Sequence, residues 1–247
     1  MRRALPPVLR LVARAVGRAL RPLLAACALP LLAACAVPPA PLTGPVRAPP
    51  PEARGFLAVS DAVEAVAEAE CRRVDPRRDC DFRIVVDDRP GMPPNAFQTL
   101  DRQGRPLIGV TVALLGAVRS PDELAFVMAH EASHHVAGHL GRQAAVAQQG
   151  AAVFARIAGG AEGATPESVR EAGQIGALLG ARSYSKEFEL EADALGARVA
   201  ALAGYDPVAG SQFFLRLPDP GNRFLGTHPS NAERIAAVAR AMAEFRG

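Results

Sequence analysis

Lysine is almost missing from this chain: Lys186 is the only one among 28 basic residues, and the rest are arginines. With alanine abundant beside them, that bias reflects genome composition and not a nucleic-acid surface. No apolar run is long enough to cross a bilayer. The best one, residues 22–34, falls well short of the roughly 20 residues a spanning helix needs. There is no internal repeat, and cysteine is scarce, with four in 247 residues. The excess of positive charge is also absent from the body of the chain. Residues 1–34 hold six arginines and no acid; without them 22 basic residues face 25 acidic ones, a net charge of −3. Nothing in that balance calls for nucleic acid as a partner.

What the N-terminus does contain reads as an export signal. Arginines precede the short apolar run, which carries two copies of Leu-Ala-Ala-Cys, ending at Cys27 and Cys35. Leu-Ala-Ala-Cys resembles the bacterial lipoprotein signal, in which the cysteine is lipidated and becomes the first residue of the mature chain. Cys35 is the better candidate, because the whole apolar run then lies upstream of it. Residues 1–34 are thus expected to be a signal peptide and 35–54 a lipidated cysteine with a tether. The stretch 36–54 carries seven prolines, enough for an extended spacer of up to ~60 Å at ~3.1 Å per residue. The folded domain is expected to occupy 55–247.

Within that domain, apolar spacing predicts a helix over 56–73 and a strand over 82–86. Segments 96–100 and 107–112 flank a polar turn and predict a hairpin. Ser120-Pro121-Asp122-Glu123 opens a helix as a capping box. Helical stretches follow near 142–158, 166–181, 184–203 and 207–217, and a last one over 230–245 has a capping box at Ser230 and Glu233. Cys71 and Cys80 remain once Cys27 and Cys35 are set aside, and in an exported protein such a pair is expected to form a disulfide.

The chemistry is concentrated in the helix that opens at Ser120. It contains His130-Glu131-Ala132-Ser133-His134, an H-E-x-x-H pattern. Histidines four apart lie only ~40° apart around a helix, so both rings can reach one cation, with Glu131 placed to take a proton from water. A catalytic zinc usually takes a third protein ligand. His135 and His139 lie ~140° and ~180° around the axis from His130, so packing or hydrogen bonding suits them better than ligation. A carboxylate from another helix is the alternative. Glu189 and Asp193 share one face of their helix, offering a ligand and a partner for a ligand histidine, whereas Glu187 and Glu191 share another face and read as solvated or structural.

Several motifs together carry a resemblance. Besides H-E-x-x-H, these are the S-[RK]-x-x-E-x-x-A-D run from Ser185 to Asp193, Ala203-Gly204-Tyr205-Asp206-Pro207, Thr227-His228-Pro229 with Arg234 following, and Pro94-Asn95-Ala96-Phe97. In order and spacing the chain resembles the HtpX / CAAX-prenyl-protease family of gluzincin zinc metallopeptidases over roughly 56–245. Within it the chain is most similar to short bacterial lipoprotein members and to the catalytic domain of the periplasmic β-barrel-assembly-enhancing protease. The resemblance implies one zinc ion per chain held by His130, His134 and Glu189, with Glu131 as catalytic base and Asp193 behind a ligand histidine. It places His228 near the metal, either to stabilise the oxyanion or to block the site as a fourth ligand, and Arg234 as an ion-pairing support for that loop.

These readings lead to an α+β, zincin-like metallopeptidase domain, mostly helical with a small antiparallel sheet. Substrate is expected to lie extended along a sheet edge, at the strand 107–112. The expected activity is zinc-dependent hydrolysis of misfolded or unassembled envelope proteins by an enzyme lipid-anchored at the periplasmic face of the outer membrane. The competing expectation is a non-catalytic periplasmic chaperone or adaptor with a self-blocked zinc site.

Overall fold

The computed structural model describes residues 54–183, 185–219 and 228–246. The expected signal peptide, Cys35 and nearly all of the tether lie outside these residues. Helix α1 (Arg54–Val74) leads into strand β1 (Arg83–Asp87), the hairpin β2 (Ala96–Leu100) and β3 (Pro106–Thr111), and a short helix α2 (Val112–Ala117). Then come α3 (Pro121–Val136), α4 (His139–Gly159), α5 (Pro166–Ser183), α6 (Ser185–Leu202), α7 (Pro207–Ser211), a 3-10 turn (Gln212–Arg216) and α8 (Asn231–Arg246).

The domain is α+β and mostly helical, but its sheet is mixed. β2 pairs antiparallel with β3, as a hairpin must, with Ala96 opposite Val110 and Leu100 opposite Pro106. β1 pairs parallel with β3, Arg83 opposite Leu107 and Asp87 opposite Thr111, giving the order β1-β3-β2. β3 is thus the central strand, all six of its residues buried, and both its edges are taken. A substrate cannot pair with it, and β2 is the open edge on the hairpin side. The bonds Thr111 N–H to Asn95 O and Asp101 N–H to Arg105 O mark the β3-facing residues of β2. Antiparallel alternation then turns the main-chain groups of Ala96 and Gln98 towards the open edge. Gly109 of β3 makes room for this hairpin: a Cβ there would fall 2.2 Å from the Phe97 ring.

Helix α3 is the centre of the molecule. Twelve of its sixteen residues are buried, because α1, the sheet, α6 and α7 all pack on it. Phe56, Val59, Val63 and Ala67 of α1 line one side of the shared core, the i, i+3/i+4 stripe expected of a half-buried helix. Ser120 caps α3 by accepting from Glu123 N–H at 3.2 Å, while the Glu123 carboxylate takes the Arg119 N–H at 2.6 Å and so caps one residue earlier than a reciprocal box would. At the other end Arg78 donates to the carbonyls of His135 and Val136 at 2.5 and 2.6 Å, placing a cation at the negative end of the helix. The loop carrying Arg78 is closed by a disulfide between Cys71 and Cys80.

The Ala203–Pro207 motif is a stop-and-start device. Gly204 takes φ +90° to end α6, and Asp206 then caps α7, accepting from Val208 and Ala209 N–H with Pro207 at the first helical position. The capping box of the last helix closes reciprocally: Glu233 accepts from Ser230 N–H at 2.9 Å and donates its own N–H to Ser230 Oγ at 3.3 Å.

Candidate metal centre

Beyond the first turn of α3, the residues not buried are Glu131 and His134, with His130 beside them. The two Nε2 atoms of His130 and His134 stand 3.1 Å apart, their rings nearly perpendicular at 83°. Helix α6 crosses this face and brings Glu189, whose carboxylate oxygens lie 3.6 Å from His130 Nε2 and 3.5 Å from His134 Nε2. The crossing is close because Gly196 sits at the contact. A Cβ there would lie 2.9 Å from both Cα and N of His130, so only a glycine lets the two helices meet at this depth.

Among the described residues, His130, His134 and Glu189 form a group whose ligand atoms all lie within 4.8 Å of one another. A four-coordinate ion with bonds of 2.0–2.1 Å has ligand-to-ligand edges of about 3.3–3.4 Å; the two imidazole nitrogens lie 3.1 Å apart, and each has a Glu189 oxygen nearby, Oε1 at 3.5 Å from His134 and Oε2 at 3.6 Å from His130. Burial and the Arg234 charge oppose protonation of His130, but the hydrogen bonds of Asp193 and Glu189 outweigh them and raise its pKa to about 10. Burial and the neighbouring His130 charge push His134 the other way, to about 3. Burial disfavours the Glu189 carboxylate, yet hydrogen bonds from His130 and His228 hold its pKa well below the usual range. One imidazole thus favours a proton, its neighbour rejects one, and the carboxylate beside them stays ionised.

Behind the three ligand candidates lies a set of supports. Asp193, fully buried, places Oδ1 2.9 Å from His130 Nδ1. Arg234, reaching in from α8, forks onto Asp193 at 2.8 and 2.7 Å, comes within 3.5 Å of Glu189 and stacks 3.8 Å from the centre of the Phe214 ring. Its partners among the described residues lie on α6 and the 3-10 turn, and its Nη2 also comes within 3.3 Å of His130 on α3; the residues of the loop before His228, which Arg234 is expected to brace, lie outside the described residues. His135 points away from the centre, as helix geometry requires, and its Nε2 meets Asp79 O at 2.7 Å. His139 turns inward instead: Nδ1 lies 2.9 Å from His134 Nδ1, and Nε2 lies 3.2 Å from Glu191. Glu187 is exposed, but Glu191 is tied to His139 and to Arg142, the latter at 2.7 Å.

Glu131 faces the open side. Burial is the largest influence on its carboxyl and raises the pKa, with Glu189 adding to it, while the charges of His130 and Arg234 and a hydrogen bond from the Gln98 main chain pull back. A glutamate poised in this way holds a proton more readily than an ordinary one. His228 is exposed, and its Nδ1 reaches 3.3 Å from Glu189. All these groups open into a cavity of about 570 Å³, walled by Asn95–Gln98 of the open edge on one side and by Phe126, Phe213 and Phe214 on another.

The supports that sequence reasoning missed are Gly196 and the pairing of His139 with Glu191. Gly196 falls on the Glu189–Asp193 face, at i+3 from Asp193, a spacing visible in the sequence. The His139–Glu191 contact depends on where α4 sets off from α3, which the sequence does not display.

Comparison with known proteins follows the same line. The profile of peptidase family M48 matches residues 57–242. A Vibrio cholerae protein that bears the name of a beta-barrel assembly-enhancing protease is 36% identical over 129 residues, which is 47% of this chain and 27% of that one. The mitochondrial metalloendopeptidase OMA1 of Arabidopsis thaliana is 30% identical over 138 residues, 54% of this chain and 27% of its own. The chain thus matches about a quarter of the length of either relative. The crystal structure of Ste24p from S. mikatae is similar over 71% of this chain and 49% of that one, at 17% identity and a TM-score of 0.42.

Proposed function

Since the chain belongs to peptidase family M48 and is thereby a metallopeptidase, we propose that it is a zinc-dependent endopeptidase that degrades misfolded or unassembled proteins of the bacterial envelope. The observation that carries the zinc reading is the convergence of His130, His134 and Glu189, one ligand atom of each within 4.8 Å of the others, with Glu131 directly beside them. These three side chains would hold the ion. Zinc bound there supplies Lewis acidity, polarising a carbonyl and acidifying water.

The remaining steps belong to the chain itself. Glu131 accepts the proton of the attacking water at its carboxylate and passes it to the departing amine, a role its place beside His130 and His134 on the open face of α3 allows. Asp193 holds the Nδ1–H of His130, so that Nε2 presents its lone pair to the centre, and Arg234 fixes Asp193 in turn. An extended peptide laid against β2 pairs with the outward main-chain groups of Ala96 and with the Gln98 carbonyl, the Gln98 N–H being held by Glu131, and its backbone passes Glu131. His228, at the mouth, is placed either to donate to the developing oxyanion or to swing onto the metal.

The envelope assignment rests on the export and lipidation pattern ending at Cys35 and on the name of the Vibrio relative. It makes the protein a lipoprotein at the periplasmic face of the outer membrane, with unfolded envelope proteins as clients. The approach of His228 to Glu189 is the observation behind a second reading, a non-catalytic chaperone or adaptor whose site is plugged by its own histidine.

Metal analysis combined with degradation of an unfolded outer-membrane protein separates the two. Glu131→Gln should keep one zinc per chain and lose hydrolysis, because the base is gone while the ligands remain. Loss of zinc in this variant, or full activity, refutes the assignment. A wild type that holds zinc and cleaves nothing supports the chaperone.

A further inference from the structure

We infer that His139 is a positioning residue of the metal centre: it fixes the tautomer of His134 by accepting the Nδ1–H of that ring, and Glu191 fixes His139 in turn. The inference rests on the reading of His134 as a zinc ligand. A neutral imidazole carries one N–H and one bare nitrogen. If Nε2 of His134 is to face the metal with its lone pair, the proton must sit on Nδ1. That atom lies 2.9 Å from Nδ1 of His139, a hydrogen-bond distance that needs one donor and one acceptor. His139 Nδ1 must then be bare and its proton must be on Nε2, and Nε2 lies 3.2 Å from Glu191 Oε2. Every nitrogen in the chain from Glu191 to the metal position is thereby assigned, and the two N–H bonds point the same way.

The opposite arrangement is self-defeating. A proton on His139 Nδ1 would make it a donor facing His134 Nδ1, which could then only accept. His134 would have to carry its own proton on Nε2, where the metal belongs. Glu191 prevents this by giving the Nε2–H of His139 an acceptor, and it is held in place by Arg142, whose Nη1 lies 2.7 Å from the same oxygen.

The ring of His139 is buried and stacks on Phe188 at 4.5 Å with an 11° tilt. Phe188 precedes Glu189, so the residue that orients one ligand is keyed to the helix that supplies another. The two ligand histidines are thus supported differently, His130 by a carboxylate directly and His134 by a carboxylate acting through a second imidazole. Outer partners of this kind raise ligand basicity and fix ring orientation.

Two substitutions in the full-length protein separate positioning from packing. His139→Asn keeps an acceptor oxygen near the Nδ1 position and discards the ring. His139→Phe keeps the stacked ring and discards the acceptor. Zinc dissociation constants, measured by competition with a chromophoric chelator, should rise about 10- to 100-fold in His139→Phe and much less in His139→Asn. A packing role demands the reverse order.

Glu191→Ala alters a half-exposed side chain and leaves the core intact, so it remains informative even if His139→Phe does not fold. It should also weaken zinc binding, by less than His139→Phe does, whereas Glu187→Ala should not. A wild type that binds zinc together with a His139→Phe variant of unchanged affinity overturns this inference alone. So do a reversed order of the two His139 variants and a Glu191→Ala variant with wild-type affinity. A wild type that binds no zinc overturns the functional reading as well.

Discussion

Gly196→Ala tests whether the depth of the helix crossing sets the geometry of the metal centre. Glycine within an exposed helix costs about 1 kcal/mol relative to alanine, so in isolation the change should stabilise α6. At this position the added Cβ would stand 2.9 Å from Cα and N of His130 and 3.1 Å from C of Ala129. These are backbone atoms of a buried helix and cannot swing aside. Ordinary carbon contacts lie near 3.5–4.0 Å, so α6 must retreat by about 0.5–1 Å. Overpacking of that kind costs about 1–3 kcal/mol, which outweighs the propensity gain.

The retreat also carries Glu189 and Asp193 with it, two turns and one turn earlier on the same face. Metal sites tolerate about 0.2 Å in their ligand distances, so the displacement exceeds what zinc accepts, and affinity should fall by an order of magnitude or more. Gly141→Ala is the control, since nothing lies within 4 Å of a Cβ there. It should be neutral or stabilising by up to about 1 kcal/mol and leave zinc alone. Thermal unfolding of chelator-treated protein and zinc competition on both variants give the answer. If Gly196→Ala is as stable as Gly141→Ala and binds zinc as tightly as wild type, the argument from helix depth is wrong.

Three further perturbations probe other parts. Glu189→Ala should release zinc far more readily than Glu187→Ala, read as metal retained after dialysis; equal retention would mean that another carboxylate holds the ion. His228→Ala should raise basal proteolysis if the imidazole plugs the centre, and lower turnover about 10²-fold or more with zinc retained if it supports the oxyanion; unchanged turnover and unchanged metal remove it from the site. Burial pushes the Glu123 carboxyl up, but the hydrogen bonds from Arg216 and from the Arg119 main chain outweigh it and leave the pKa below its ordinary value. The ion pair therefore stabilises the fold fully above the pKa of an unfolded glutamate, about 4.3, and that contribution is lost as acid protonates the folded carboxylate. Arg216→Ala should cost about 1–2 kcal/mol at neutral pH and flatten this acid-side slope in urea unfolding; an unchanged slope would show that the pair does not couple to folding.

Much of this architecture is written in local spacing. The hairpin turn, the Ser120 cap and the i, i+4 pairs His130/His134 and Glu189/Asp193 all depend on residues within a few positions of each other, and they are readable for that reason. The parallel pairing of β1 with β3 is not. It joins segments more than twenty residues apart through register alone, and nothing in residues 82–86 distinguishes a parallel neighbour from an antiparallel one. The same holds for His139. Its angle around a straight helix points it away from the centre, but Gly138, at φ +68°, breaks the helix after α3 and restarts the chain as α4. That turn resets the angle and swings His139 back towards His134.

The open edge of β2 has a consequence for how clients would be chosen. Main-chain pairing is nearly blind to side chains, so a strand edge discriminates by availability: the client must present several consecutive residues with their backbone groups free. A folded protein rarely does. Cleavage would then follow the population of locally opened client, and each 1.4 kcal/mol added to the opening free energy would slow it about tenfold. On the proposed reading the cleft at Gln98 would work as a gauge of folding stability, sparing proteins that stay closed and removing those that do not, with no recognition sequence required.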